Sequence, residues 1–279
     1  MQKILLALDP VNPDKNALDF ACFLGRLTKS KITGVFLENT KTSGKPRITE
    51  EDGMPAIDWA PDEQSPEYKS KMSQVEEDIT WFKDACTNRE VNCKLHRDRG
   101  LPASDLVAES RFADMIVTGP DTSFNRLYEG RPTEFVKDIL MKTECPVIIS
   151  PERFDAIDEI VFAYDGSASS MFAIKQFTYL FPQLGERKVT LVQVNKTGIW
   201  EDPDKHYLTE WLKEHYSDLH FETRKGDSST QLFEWLFKRR NTFVVIGAYG
   251  RTALSQFFKH SHAELLIHLL SQPIFIAHQ

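Results

Sequence analysis

Glu159–Gly166, EIVFAYDG, is a short apolar run that stops at an acidic residue followed by glycine. Ser167 then opens a stretch, SMFAIKQFTYLF from Ser170, with apolar residues at three- and four-residue intervals. A strand, a turn and an amphipathic helix are the expected reading. Near the N-terminus, Lys3–Pro10 (KILLALDP) has the same form, with Asp9 in the place of Asp165. Further matches follow in one order. Lys31–Glu38 (KITGVFLE) pairs with Lys188–Asn195 (KVTLVQVN), and Arg99-Gly100 with Lys225-Gly226, each before a helical pattern. Ala113–Gly119 (ADMIVTG) pairs with Asn241–Gly247 (NTFVVIG), and Cys145–Ser150 (CPVIIS) with Gln272–Ala277 (QPIFIA). Five landmarks recurring in one order make the chain a tandem repeat.

Asp9 and Asp165 stand 156 positions apart, whereas Gly100 and Gly226 stand only 126 apart, so the first copy carries about 30 extra residues. They fall mostly in Thr40–Pro66, whose prolines and acidic residues predict a long surface loop. Met54, Ile57 and Trp59 are its apolar group, the basis for an alternative reading as a lid. Pro151–Asp158 is polar and without period, and reads as the junction between a first domain over 1–151, with its insertion at about 40–66, and a second over 157–279. Continuous apolar strands separated by helices predict α/β domains: two tandem doubly wound units, each a five-stranded parallel sheet with helices on both faces. One large sheet built from both copies is the alternative architecture. Each copy has enough residues for its own core, which favours two sheets.

A net charge of −7 without a basic block argues against general nucleic-acid binding, which depends on phosphate neutralisation. The four cysteines show no metal spacing, and Cys22 and Cys145 read as buried small residues. The apolar run before Asp9 is too short for a signal-peptide core, and no run reaches the ~20 residues of a membrane helix. A soluble cytoplasmic protein, with no membrane and no nucleic-acid partner, is the expectation.

Ligands of open parallel sheets sit beyond the carboxyl ends of strands where strand order reverses. In the second copy this directs attention to Asp165-Gly166-Ser167 and to Gly247–Thr252. Gly247 and Gly250 can let backbone N–H groups approach an anion closely. Ser261, before the helical pattern AELLIHLL, can cap a helix whose N-terminus attracts negative charge. The plainer reading is a turn and a cap with no ligand.

Gly247, two residues, Gly250, nine residues, then His260-Ser261 resembles the ribose- and phosphate-binding signature of the universal stress protein family: Gly, two residues, Gly, nine residues, Gly-Ser or Gly-Thr. Asp165-Gly166-Ser167 with Ser170 is similar to the family's first-strand motif, and Cys145-Pro146-Val147 to its closing strand. The resemblance covers nearly the whole chain outside Thr40–Pro66. It implies the adenine nucleotide alpha hydrolase-like fold and a stress-response protein that binds ATP, AMP or another adenine nucleotide, with Mg²⁺ as an optional companion. By position, Asp165 would contact the adenosine and the backbone near Val192 or Val194 the base. Gly166 and Ser167 would form the first loop. Gly247, Gly250 and Ser261, with Arg251 and His260 nearby, would hold ribose and phosphates. The chain departs from the family at His260, where the pattern has glycine. An imidazole there either crowds the site or adds positive charge toward a phosphate.

The first copy departs further. Pro10 follows Asp9, the loop after Gly119 reads Pro120-Asp121-Thr122, and Thr133-Glu134 stand where Gly-Ser would. Its carboxylates argue against a phosphate, so this copy is expected to be a structural or regulatory partner. In the family, single domains commonly pair through their last strands. The resemblance therefore implies an internal pseudo-dimer joined at Pro146–Ser150 and Pro273–Ala277.

No G-x-G-x-x-G follows a first strand, and there is neither a P-loop nor a G-x-S-x-G elbow. Alternate residues at a helix start diverge, so His260 and His262 do not read as a metal pair. His206, His215 and His220 read as solvated, and Trp211 and Trp235 as core or rim. Three functions compete: a nucleotide-responsive protein acting on an unknown protein partner, a nucleotide-free scaffold, and a slow nucleotide hydrolase. The last ranks lowest because no clear general base or metal pair accompanies the loop, leaving weak ATPase activity at most.

Overall fold

The protein is described from a computed structural model over residues 3–39, 45–51, 54–60, 63–125, 129–201, 203, 205–247 and 271–277. Contacts divide the chain into two compact units: Met1–Ala113 with Asp121–Glu144, and Asp114–Pro120 with Cys145–Gln279.

In the first unit, β1 (Lys3–Leu8) pairs in parallel with β2 (Lys31–Asn39), and β2 with β5 (Cys93–Gly100). Ile4–Leu8 are all buried, as expected of a strand covered on both faces. Asp14 starts α1 (Lys15–Thr28) by accepting from the N–H groups of Asn16 and Ala17 at 2.9 and 3.0 Å. The helices α2 (Pro66–Asn88), α3 (Pro102–Ser110) and α4 (Glu134–Lys142) complete this unit. Phe82 of α2 lies over β2, edge-on to Phe36 at 5.8 Å. Gly34 makes this possible, because a Cβ there would stand 2.7 Å from the Phe82 ring.

The insertion is not the plain loop that its prolines predict. β3 (Lys45–Glu51) and β4 (Met54–Ala60) pair antiparallel in a two-stranded sheet of their own. The reason is visible in hindsight. Ile48, Thr49, Ile57 and Trp59 favour extended chain. A sheet of two strands also has edges where Pro46 and Pro55 are tolerated.

The second unit contains β6 (Met115–Thr118), β7 (Val147–Ile149), β8 (Glu159–Ala163), β9 (Lys188–Asn195), β10 (Asp218–Lys225), β11 (Thr242–Gly247) and β12 (Ile274–Ala277). They lie in the order β10-β9-β8-β11-β12-β7-β6, and all neighbours are parallel except β12 and β7. The second copy thus keeps its own five-strand order, while β6 and β7 of the first copy share the same sheet. Strands of both copies meet there, a feature of the alternative architecture. The cause is the antiparallel ladder of Val147–Ile149 with Ile274–Ile276, apolar on both sides.

Between these strands run α5 (Ala168–Leu180), α6 (Lys205–Lys213) and α7 (Ser228–Phe237). Phe177 of α5 is fully buried, with Phe162, Phe181, Phe243 and Phe275 at ring distances of 5.9, 5.0, 5.0 and 5.4 Å. It ties one helix to β8, β11 and β12. At the other end of β8, Glu159 accepts from Thr190 and pairs with Lys188 and Arg239. Arg239 also pairs with Glu222 and covers the buried Trp235 ring at 3.7 Å. Trp235 is therefore core, as its helical position predicts.

Phe177→Ala is expected to cost about 3–5 kcal/mol in urea unfolding of the second unit, because four rings lose a shared partner. The more exposed Tyr179→Ala, two residues on, should stay within about 0.5 kcal/mol.

Candidate functional site

Strand order reverses at β8, which has β9 on one side and β11 on the other. The Tyr164 N–H still donates to the Val192 carbonyl at 3.0 Å, extending the β8–β9 ladder by one residue. The chain then turns sharply. The Asp165 carboxylate accepts from the Ser167 N–H at 3.0 Å, and Gly166 adopts φ +82°, a left-handed geometry that favours glycine. Ser167 caps α5 by accepting from the Ser170 N–H at 3.0 Å, while the Ser170 hydroxyl donates back to the Ser167 carbonyl at 2.9 Å. Asp165 and Gly166 are exposed, and Ser170 is buried.

β11 ends against this turn. A Cβ at Gly247 would lie 2.5 Å from the Ser169 carbonyl oxygen and from the Ser170 N and Cα. All three are backbone atoms that cannot rotate away. Asp165, Gly166, Ser167 and Gly247 are therefore brought together. Gly250, Arg251, His260 and Ser261 lie outside the described residues.

The second strand's end is committed elsewhere. Val192 is buried and its carbonyl is taken by Tyr164, while the Val194 carbonyl accepts from the Ser228 hydroxyl at 3.3 Å. Beyond β9, Asn195 accepts from the N–H groups of Thr197 and Gly198, and Gln193 from that of Glu201 at 2.9 Å. This loop delivers Trp200, whose ring lies parallel to Tyr164 at 5.8 Å and edge-on to Phe221 at 5.0 Å. The Lys205 ammonium sits over the rings of Trp200 and Phe221, at 5.0 and 4.6 Å. The buried Trp200 indole N–H has no partner among the described residues. The sequence reading passed over this aromatic wall beside Asp165. Its parts come from two strands, a loop and a helix, which no spacing rule connects.

No family model matches the sequence, and no curated protein matches it. Solved structures do. A universal stress protein from Archaeoglobus fulgidus is 17% identical, with 100% of this chain and 96% of that one covered and a TM-score of 0.69. A putative universal stress protein from Pseudomonas aeruginosa is 15% identical, with 100% and 93% covered and a TM-score of 0.56. The chain has the universal stress protein fold. A functionally unknown protein from Pseudomonas aeruginosa, 14% identical, is also similar, with 100% and 92% covered and a TM-score of 0.55.

Within the universal stress protein fold, the first copy repeats the turn after its first strand. Asp9 accepts from the Val11 N–H at 2.9 Å, as Asp165 does from Ser167. Burial is the main influence on the Asp9 carboxyl and holds its pKa above the ordinary value. The N–H groups of Val11 and Asn12 and the charge of Lys71 pull it down, and Asp78 pushes it up. In the loop after β6, Asp121 pairs with Arg131, and Thr133 caps α4 by accepting from the Val136 N–H at 3.3 Å. The exposed Glu134 pairs with Lys137 at 2.5 Å. Among the described residues, no helix is long and apolar enough to cross a membrane.

Gly247→Ala should displace the first turn of α5 and cost about 1–3 kcal/mol, read by urea unfolding and by faster amide exchange at Ser169 and Ser170. Asp9 gives a pH test. Its folded pKa lies above its unfolded one, so the folded state holds more protons between the two, and stability falls as pH rises through that window. Asp9→Asn keeps an acceptor for Val11 and removes the titration. It should raise stability at pH 7 and flatten this part of the profile in melts from pH 3 to 7.

Proposed function

We propose that this chain is a universal stress protein-like stress-response protein whose second copy binds an adenine nucleotide, ATP or AMP, in the crevice between the loops after β8 and β11. The supporting observation is the meeting of Gly247 with the first turn of α5, next to the Asp165–Ser167 turn. A strand end without a side chain, set against a helix start, leaves backbone N–H groups within reach of an anion. Asp165 would take the adenosine hydroxyls. Gly250, Arg251, His260 and Ser261 would hold the phosphates and any accompanying Mg²⁺. Nucleotide occupancy would then alter the binding of a protein partner in the cytoplasm.

The two copies, over 1–151 and 157–279, would form an internal pseudo-dimer. The antiparallel ladder between β7 and β12 supports this reading, because these are the closing strands of the two copies. A nucleotide-free scaffold is the second reading, favoured by the engagement of the Val192 and Val194 carbonyls within the protein.

A thermal melt titrated with ATP and Mg²⁺, and separately with AMP, distinguishes the two readings. Saturation at about 100 times Kd should add roughly 2.7 kcal/mol, and Gly250→Val should abolish the shift. A flat melt at millimolar nucleotide, with no 260 nm material in an acid extract of the purified protein, selects the scaffold.

A further inference from the structure

Cys22 lies on the buried face of α1, Cys86 in the last turn of α2 and Cys93 at the start of β5. The chain between the last two is a tight turn, in which the Val91 N–H donates to the Cys86 carbonyl at 2.9 Å and Glu90 adopts φ +57°. Val91 then packs on α1 one turn beyond Cys22. A Cβ at Gly25 would stand 3.0 Å from the Val91 Cγ1 and 3.4 Å from Ile32, the residue opposite Cys93 in the β2–β5 ladder. This packing brings three thiols together, and the Cys86 thiol is hydrogen-bonded with both Cys22 and Cys93.

The three differ in access and in surroundings. Cys22 and Cys86 are fully buried, whereas Cys93 is part-exposed. Arg89, just past α2, pairs with Asp19, one turn before Cys22. The hydrogen bond from Cys86 is the main influence on the Cys22 thiol and lowers its pKa; burial opposes it, and the Arg89 charge adds to it. A thiolate is the attacking form of cysteine, so the innermost thiol is also a primed one.

We propose that Cys93, Cys86 and Cys22 form a thiol relay, through which hydrogen peroxide oxidises the first unit from its surface inward and leaves a Cys22–Cys86 disulfide stapling α1 to α2. The Cys93 thiolate attacks a peroxide oxygen, the O–O bond breaks, and the departing hydroxide takes up the proton of Cys93 as water, leaving a sulfenic acid. The Cys86 thiol attacks the Cys93 sulfur, the S–O bond breaks, and a second water leaves with the Cys86 proton. The Cys22 thiolate then attacks the Cys86 sulfur, and Cys93 departs as a thiol with the proton of Cys22. In sum two thiols are oxidised and one peroxide is reduced to two waters. Every attack is on an adjacent sulfur, so no thiol has to cross the core. This inference concerns the first unit alone and stands whether or not the second copy binds nucleotide.

The test is a time course of the full chain in hydrogen peroxide, quenched by alkylation and read by mass spectrometry of unreduced peptides. Wild type should show a Cys86–Cys93 linkage first and a Cys22–Cys86 linkage at the end, with Cys93 alkylated again. Cys93→Ser should slow the Cys22–Cys86 linkage about tenfold or more, because peroxide must then reach a buried thiol. Cys22→Ser should stop at Cys86–Cys93. Cys145, buried outside the cluster, should stay reduced throughout. If Cys93→Ser reaches the Cys22–Cys86 linkage as fast as wild type, or wild-type Cys93 passes to sulfinic acid without linking to Cys86, the relay does not exist and the three thiols are packing residues.

Discussion

The second copy depends on a close approach that leaves no room for a side chain at residue 247. With three backbone atoms of Ser169 and Ser170 at 2.5 Å from where a Cβ would be, β11 and the first turn of α5 cannot move independently. That contact fixes the end of β11 against the start of α5. The turn at Gly166 and the serine cap at Ser167 then place the helix start, and Phe177, nearly three turns on, fastens the same helix into the core. Backbone packing and aromatic burial act on one element from its two ends. The turn after β8 is therefore held by rigid parts.

The carboxyl ends of the strands have acquired different chemistry in the two copies. In the first, the buried Glu38 at the end of β2 receives Arg97 at 2.9 Å, Arg99 at 3.3 Å and Lys71 at 3.9 Å. In the second, the corresponding neighbourhood holds Tyr164, Trp200 and Phe221 under a single lysine. The ionic cluster engages the Glu38 carboxylate with three cations, and with Glu76 on Arg97 it keeps an excess of positive charge. An aromatic wall has flat faces and a buried indole N–H without a partner among the described residues. The copies share a scaffold and present different surfaces from it.

The repeat was legible because strands buried on both faces must be continuously apolar, so KILLAL and EIVFA signal themselves and their order. The turn residues Asp9, Asp165, Gly166 and Ser167 were legible for a similar reason, since each turn or cap admits few residue types. The strand pair β3 and β4 was obscured by prolines that would forbid a central strand but not an edge. Trp200 escaped notice because it reaches Tyr164 through loop geometry that only the folded chain defines. In the first copy, sequence spacing pointed to Asp121 and Glu134 as the obstructing carboxylates. Both are paired with basic side chains, Asp121 with Arg131 and Glu134 with Lys137, which only the folded chain shows.

The outermost strands carry one more implication. Among the described residues, β5 and β10 each have one strand neighbour, and they are the polar strands of their units: CKLHRDRG and DLHFETRK. Each presents charged or imidazole side chains along a margin whose backbone is open to another chain. Fibrillar stacking of one molecule on the next would bring like charges into register and strip them of water. The apolar closing strands, β7 and β12, are engaged with each other and cannot template such growth. This distribution works against edge-to-edge pairing of one molecule with the next.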